Sequence, residues 1–365
     1  MKSVAVFFGG ESVEHDISII TGVLTVNSVD KKYNVLPVYV SKEGEFLTGE
    51  KLNDPDGYKN LDIKKLKKVA LIPGSNKLFE IKNKRLKPLC EIAVSINCMH
   101  GERGEDGSLS ALLSLCKIPL VSPDTAGSAV CMNKKLTKIM LKGLEIPYLP
   151  SVTVSDIISA VSAEKFGYPL IVKPCTGGSS IGIGKANDRM GLEFAVNNAL
   201  KYSSSVIIEP LLSNFTEINC ACFKDCDGNL VLSECERPIG AEEVLTFSDK
   251  YERGLREFPA KIDKEISEKI KKFTAKIYRE FEFKGVIRID YFLSNGEVFV
   301  NEINTVPGSL AYYLFCKNTA DFKNMLSEMI EFAMTNFNRS SSILRSYNSG
   351  IISSLKGKGS KTIRL

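Results

Sequence analysis

The chain has 365 residues, of which 44% are hydrophobic and 25% charged, as in a soluble globular protein of two or three domains. The net charge of +5 comes from a tail after residue 338 with six basic residues and no acid, so the near-neutral body argues against a nucleic-acid surface. No apolar run is long enough to cross a bilayer. The chain has only two histidines, which excludes a His-rich metal site. Its ten cysteines include no CxxC pair, which predicts reduced thiols in a cytoplasmic protein.

The first third of the chain predicts an open parallel α/β domain over residues 1–124. Residues 3–8 and 35–40 are apolar, strand-like runs on either side of a helical stretch from 17 to 29. A further strand is expected at 92–96 and a helix at 108–116. The polar, Lys-rich residues 50–88 lack such a pattern and predict an insertion or irregular region.

Residues 125–210 predict a small central domain with a glycine-rich loop. Helical periodicity over 126–144 ends at a proline, and strands are expected at 170–172 and 205–209. Lys173 precedes the loop and Lys134 lies on the helix; two lysines and loop N–H groups suit the phosphates of a nucleotide. The loop is neither a Walker A motif nor GxGxxG, so a plain glycine-rich hairpin remains an alternative.

Two strand-like runs near the end of the chain, 285–293 and 297–305, predict a hairpin around Asn295-Gly296. Side chains alternate along a strand, so Arg288 and Asp290 share one face of the first run, and Glu302 and Asn304 share one face of the second. Two carboxylates and an amide are oxygen ligands that suit Mg²⁺ on nucleotide phosphates. A solvated polar face is the alternative. Strands at 218–223 and 230–234 and an amphipathic helix over 262–281 are expected before this hairpin.

Several motifs occur in a fixed order, which resembles the ATP-grasp fold and specifically the D-alanine–D-alanine ligase family over about residues 1–335. They are Gly9-Gly10 with Glu14-His15-Asp16-Ile17-Ser18, HGERGEDG at 100–107, KPCTGGSSIG at 173–182, SDKY at 248–251, RID at 288–290 and NEINTVPG at 301–308. The resemblance implies a three-domain ATP-grasp fold of α/β and α+β type. Its parts are an N-terminal substrate-binding domain at 1–124, a central ATP-grasp subdomain at 125–210, a C-terminal subdomain with the metal site at 211–340, and a basic tail at 341–365.

The resemblance also implies an activity. ATP phosphorylates the carboxylate of one D-alanine, and the amine of a second D-alanine attacks the acylphosphate, giving the dipeptide used for peptidoglycan precursors. The implied cofactors are ATP and two Mg²⁺ ions, for which Mn²⁺ can substitute. The implied partners are small-molecule substrates and a second copy of the chain in a homodimer, with no nucleic acid and no membrane insertion.

Site residues follow from the resemblance position by position. The metal ligands are Asp290, Glu302 and Asn304. The nucleotide contacts are Lys134, Lys173, Ser180, Glu209, Leu212, Glu217 and Lys250. The catalytic group is Glu14, Ser179, Tyr251, Arg288 and the Gly308 backbone N–H. The substrate contacts are His100, Ser309 and Tyr313.

Within that set, Glu14 is expected to hold the first substrate's ammonium group, with Ser179 and Tyr251 in a Glu–Ser–Tyr network. Residues 240–256 are expected to form a lid that excludes water from the acylphosphate. Arg288 and Gly308 would stabilise the tetrahedral intermediate.

Three departures from the family pattern bear on the second substrate and the ribose contact. Tyr313 stands where the family has a serine for the second substrate's carboxylate, Gly177 replaces a charged residue, and Glu209 to Glu217 is one residue longer. They leave open a ligase with D-serine, D-lactate or another amino acid as acceptor. A nucleotide-binding regulatory protein without ligase activity is a further alternative, because a fold alone does not fix function.

Overall fold

A computed structural model of the chain describes residues 1–239, 255–344 and 346–350. Lys250, Tyr251 and most of the predicted lid lie outside the described residues, as do the last fifteen residues of the predicted tail. No helix in the described ranges is long and apolar enough to span a membrane.

An eight-stranded mixed sheet forms the first domain. Its strands are β1 (Ser3–Gly9), β2 (Asn34–Val40), β3 (Phe46–Thr48), β4 (Lys67–Leu71), β5 (Lys77–Lys82), β6 (Arg85–Glu91), β7 (Val94–Asn97) and β8 (Leu120–Val121). They lie in the order β6-β5-β4-β3-β2-β1-β7-β8. The four strands from β2 to β8 in this order are parallel, as expected, whereas β3 to β6 are joined to the sheet by antiparallel pairing.

The expectation of an irregular region at 50–88 is wrong for its second half. Short 3-10 helices fill residues 50–65, and β4, β5 and most of β6 follow. An alternating pattern is absent from β6 because nearly every side chain of this strand is exposed. Lysine and Pro88 are typical of such an edge strand, where they prevent pairing with another chain.

Two helices flank the parallel strands. They are α1 (His15–Ser28) and α2 (Ser108–Leu115). The loops that enter both helices leave β1 and β7 at their carboxyl ends, which is the edge where open α/β sheets bind ligands.

The central domain is a four-stranded antiparallel sheet with helices. Its elements are α3 (Thr125–Met132), α4 (Lys134–Gly143), β9 (Val152–Val154), α5 (Ile157–Ala160), β10 (Leu170–Pro174), β11 (Gly184–Ala186), α6 (Arg189–Ala199) and β12 (Val206–Pro210). The sheet order is β11-β10-β12-β9. The single helix expected at 126–144 is divided at Asn133, whose side chain accepts hydrogen bonds from the Lys135 and Leu136 N–H groups and so caps a new helix.

The C-terminal part contains a second four-stranded antiparallel sheet in the order β14-β13-β17-β18. Its elements are β13 (Thr216–Lys224), β14 (Leu230–Leu232), β15 (Arg237–Pro238), β16 (Arg256–Glu257), α7 (Lys264–Glu280), β17 (Ile287–Ser294), β18 (Glu297–Asn304) and α8 (Thr319–Ser341). The predicted hairpin is confirmed: Asn295 and Gly296 have φ of 50° and 78°, as a two-residue turn of type I′ requires.

The first and last parts of the chain share one core. Phe322, Leu326 and Ile330 of α8 are buried in the same apolar cluster as Val4 and Val6 of β1. The loop that follows β18 contacts α1 and the segment after β7, because the Ser309 N–H donates to Thr21 Oγ1 and the Val306 N–H donates to Glu105 Oε1.

Candidate active site

The predicted metal ligands lie on two neighbouring strands. In the β17–β18 pairing, Arg288 is opposite Asn304 and Asp290 is opposite Glu302. Directly opposite residues of an antiparallel pair point to the same face, so these four side chains are brought together. The register shifts immediately afterwards, between Asp290 and Tyr291, in a β-bulge of the kind that re-aims side chains next to active sites.

Asp290 is tightly held within this group. It is 2% exposed, and its carboxylate accepts hydrogen bonds from Arg288 Nε at 2.7 Å and Arg288 Nη2 at 3.0 Å. Asn304 Nδ2 donates to the same carboxylate at 3.0 Å. Within the described ranges no group of three or more His, Cys, Asp or Glu side chains could hold a metal. A cation would therefore depend on two carboxylates and the Asn304 amide, a set of hard oxygen donors that fits Mg²⁺.

Two lysines of the central domain approach the same face. Lys134 Nζ lies 3.8 Å from Glu302 Oε1 and donates to the Gly177 carbonyl at 2.9 Å. Lys173 Nζ donates to Asn301 Oδ1 at 3.3 Å. Both lysines line one cavity of about 70 Å³ with Gly177, Gly178, Ser179, Ser180, Glu217 and Glu302. Cations, glycine backbone and hydroxyls converge here as a polyphosphate requires.

Glu209 of β12 is buried between two lysines. Lys173 Nζ lies 2.8 Å from Oε2 at an angle unfavourable for a hydrogen bond, so this contact is an ion pair, and Lys138 Nζ pairs with Oε1. Burial opposes ionisation of the carboxyl group, but the two lysines outweigh it and lower the pKa of Glu209 to about 2. Lys138 also donates to the Leu149 carbonyl at 2.6 Å, which fixes the ion pair to the chain before β9.

Glu14 lies where the loop after β1 enters α1, and it is 7% exposed. Ser179 Oγ of the glycine-rich loop donates to its carboxylate. A Cβ atom on Gly101 or on Gly178 would come within 3.0 Å of Glu14 Oε2. The absence of a side chain at both positions therefore leaves room for loops from two domains to close around this carboxylate.

Family models for the D-ala D-ala ligase N-terminus and C-terminus match residues 3–123 and 150–331 of this chain. The chain belongs to the D-alanine–D-alanine ligase family. It is 35% identical over 354 residues to the D-alanine–D-alanine ligase of Thermosipho melanesiensis, an alignment that covers 92% of this chain and 95% of that protein.

Solved structures of this family agree with the fold. The D-alanine–D-alanine ligase of Helicobacter pylori superposes with a TM-score of 0.76 at 30% identity, covering 91% of this chain and 98% of that one. The VanG D-Ala:D-Ser ligase of Enterococcus faecalis gives a TM-score of 0.76 at 25% identity, with coverages of 91% and 99%. The predicted ATP-grasp fold is confirmed.

In this member of the ligase family, His100 is buried, and its Nε2 lies 2.8 Å from Thr21 Oγ1. Burial and the nearby Arg288 lower the pKa of His100 to about 4, although the Val306 backbone opposes the shift. His100 is therefore neutral near pH 7 and brings no positive charge to a substrate carboxylate.

Glu105, which was not among the predicted site residues, joins two loops of the site. One carboxyl oxygen accepts the Gly101 N–H at 2.8 Å, and the other accepts the Val306 N–H at 3.1 Å. Burial, together with the neighbouring Glu14 charge, raises the pKa of Glu105 to about 8. The second glutamate of the HGERGEDG motif thus links the first domain to the loop after β18.

The face of β17 and β18 that carries Arg288, Asp290, Glu302 and Asn304 is called the metal face below, after its predicted ligands. A cavity of about 450 Å³ lies beside it. Among the residues that line it are Glu14, His100, Glu217, Arg288, Asn304, Gly308, Ser309 and Tyr313. Arg288 Nη1 donates to the Tyr313 hydroxyl at 3.2 Å, and the Arg256 guanidinium lies 4.8 Å from the centre of the Tyr313 ring. The tyrosine that departs from the family pattern is therefore held between two arginines at the wall of this cavity.

The turn after Gly308 is strained. Ser309, Leu310 and Ala311 have φ of 51°, 52° and 49°, in the left-handed region that residues with a Cβ rarely occupy. Each such residue costs roughly 1–2 kcal/mol, so the surrounding structure must hold the turn. Leu310 and Ala311 are buried in the shared core, and the Ser309 N–H donates to Thr21 Oγ1 at 3.0 Å.

The predicted site residues fall into three groups. Most lie on the metal face or line one of the cavities described above. Glu209 lines neither cavity and is connected to the site by its ion pair with Lys173. Leu212 is half-buried after β12 and also lines neither cavity. Lys250 and Tyr251 lie outside the described residues, so the proposed contacts of both remain predictions. Glu217 lines both cavities despite the additional residue before it.

Sequence reasoning missed Thr21 and Lys138, although both follow a predicted site residue at helical spacing. Thr21 is seven residues after Glu14, on the same face of α1. Lys138 is four residues after Lys134, on the same face of α4. A polar residue at such a spacing is the signal that could have found them.

Proposed function

We propose that the chain is an ATP-dependent ligase that joins two D-alanines through an acylphosphate intermediate for peptidoglycan precursor synthesis. The observation that carries the proposal is the contact between Ser179 and Glu14. It places a carboxylate suited to a substrate ammonium group directly against the glycine-rich loop, beside the lysines that suit a triphosphate. A nucleotide-binding protein without a second substrate has no need of that contact.

In the first half-reaction, the carboxylate of one D-alanine attacks the γ-phosphate of ATP, and ADP leaves. Glu14 would bind the ammonium group of this D-alanine, while Lys134 and Lys173 would hold the phosphates. Two anionic groups must approach each other, so cations next to both lower the barrier. Asp290, Glu302 and Asn304 would hold Mg²⁺, which, when bound, neutralises phosphate charge.

In the second half-reaction, the amine of the second D-alanine attacks the acylphosphate carbonyl, and phosphate leaves. Arg288 and the Gly308 N–H would donate to the oxygen that becomes negative, as an oxyanion hole does. The Gly308 N–H has no acceptor among the described residues, and Gly308 lines the cavity beside Arg288. Ser309 and Tyr313 would contact the acceptor.

The nucleotide's adenine would lie near Glu209 and Leu212, its ribose near Glu217, and its phosphates within reach of Ser180. Lys250, Tyr251 and the lid would complete the site on closure. We propose two Mg²⁺ ions, replaceable by Mn²⁺, and a homodimer in the cytoplasm. Titration of activity with each metal and sedimentation of the purified chain test the metal requirement and the oligomeric state.

Measuring ADP and dipeptide formation from ATP and D-alanine tests the proposed function. We expect stoichiometric ADP, phosphate and D-alanyl-D-alanine. The same assay with D-serine and D-lactate as acceptors tests whether Tyr313 changes the acceptor. No dipeptide from D-alanine alone, with product from another acceptor, would refute D-alanine as second substrate. Nucleotide binding without turnover on any substrate would refute the ligase.

A further inference from the structure

One hydroxyl group connects three segments of the site. Thr21 on α1 is fully buried, at 0% exposure. Its Oγ1 accepts the Ser309 N–H at 3.0 Å and lies 2.8 Å from His100 Nε2. Thr21 therefore bonds both the loop after β7 and the loop after β18 from the helix that begins beside Glu14.

Two contacts meet at the Thr21 hydroxyl oxygen. It accepts the Ser309 N–H, and its distance of 2.8 Å from His100 Nε2 is that of a hydrogen bond whose donor is set by the ring tautomer.

Hydrogen bonds hold one short segment on both sides of Gly308. Thr21 accepts the Ser309 N–H, and Glu105 accepts the Val306 N–H at 3.1 Å. The segment leads into three consecutive non-glycine residues with φ near 50°, a conformation that persists only where surrounding contacts impose it.

We propose that Thr21 is a positioning residue that clamps the segment from Val306 to Ser309 at its Ser309 end and thereby holds the Gly308 N–H toward the reacting carboxyl group. The inference rests on the proposed function, because Gly308 acts only if the acyl transfer takes place. It assigns His100 to the same clamp, as the neutral ring that bonds the Thr21 hydroxyl.

Thr21→Val in the full chain tests the clamp, because valine has the shape of threonine without the hydroxyl. We expect kcat for dipeptide formation to fall about 10- to 100-fold, as when a supporting residue of a catalytic group is lost, with the KM for ATP unchanged. Thr21→Ser keeps the hydroxyl and should restore kcat to within about threefold of the unmodified chain.

Thr25→Val is the matched control. Thr25 is equally buried one turn later on α1, but its hydroxyl donates to the Thr21 carbonyl and accepts from Cys98 Sγ, outside the site. We expect a loss of thermal stability similar to that of Thr21→Val, with kcat reduced less than about twofold.

Equal effects of the two valine variants on kcat would overturn the proposal, as would a folded Thr21→Ser variant with the low kcat of Thr21→Val. If Thr21→Val does not fold, Thr21→Ala takes its place with the same expectations. Failure of the unmodified chain to form dipeptide would instead refute the proposed function, and it is measured first.

Discussion

On the nucleotide side of the active site, lysines and an arginine are paired with carboxylates at distances from 2.7 to 3.8 Å, as in the pairs Lys134–Glu302, Lys173–Glu209 and Arg288–Asp290. Around the segment from Val306 to Ser309, where the acyl group is proposed to react, neutral His100, the Thr21 hydroxyl and backbone N–H groups provide the contacts. The difference matches the chemistry of each half. A triphosphate needs fixed charge, whereas an acyl group that becomes charged only in the transition state needs donors already in place.

The largest effect should come from removing charge on the nucleotide side. Glu302→Gln keeps the size of the side chain and deletes a carboxylate that is proposed to bind the metal, so we expect kcat to fall by about 10³-fold, equivalent to about 4 kcal/mol. The unfolding temperature should change little, because the Glu302 side chain is partly exposed to solvent. Glu297→Gln, at the exposed start of β18, is the control. Near-normal turnover of Glu302→Gln would remove this residue from the metal site.

Arg288 belongs to both sides, and Arg288→Lys separates its two functions. Lysine keeps the charge but cannot hold Asp290 with two parallel hydrogen bonds and also donate to Tyr313. We expect kcat to fall on the order of 10²-fold, with a smaller change in the KM for ATP. A loss confined to the KM for ATP would place Arg288 on the nucleotide side alone.

Lys138→Met should weaken the nucleotide side without touching the amino-acid side. Glu209 would keep only Lys173, so we expect the KM for ATP to rise about tenfold, with the KM for D-alanine unchanged. A rise in both constants would show that Lys138 supports the whole site.

The Lys138→Met variant should also change how the stability of the fold depends on pH. Because the folded pKa of Glu209 is lowered to about 2, its pairing stabilises the fold above the unfolded value and is lost as pH falls from about 4.5 toward 2. The free energy of unfolding, measured with denaturant, should fall by a few kcal/mol between pH 7 and pH 3 in the unmodified chain because of this group. The decrease should be smaller in Lys138→Met. Identical losses would contradict the assignment.

Tyr313→Phe should have the smallest effect. It removes one hydrogen bond to Arg288, worth about 1 kcal/mol, while the ring keeps its contact with Arg256. We expect the KM for the second D-alanine to rise about fivefold and the KM for ATP to stay constant. A change in acceptor preference toward D-serine or D-lactate would show that the hydroxyl also selects the substrate.

The elements that sequence patterns predicted are those with a continuous apolar run or a regular apolar spacing. The strands β1, β10, β13, β17 and β18 and the helices α1 and α7 were found close to their observed bounds. The edge strand β6 was missed because its side chains are exposed, and the break at Asn133 was missed because the apolar period continues across α3 and α4. The amphipathic helix α6 lies beyond the glycine-rich loop and was also missed.

The sequence by itself determined the charged part of this protein's site. The alternation around Asp290 and Glu302, an Asn-Gly turn and glycines next to lysines are local features, so the chain's own geometry places these groups. Only the tertiary structure decided that Thr21 bonds His100 and Ser309, that Glu105 bonds Val306, and that Lys138 reaches Glu209. These contacts join residues far apart in the chain, and two of them use backbone N–H groups, which every residue except proline carries and which leave no mark in the sequence.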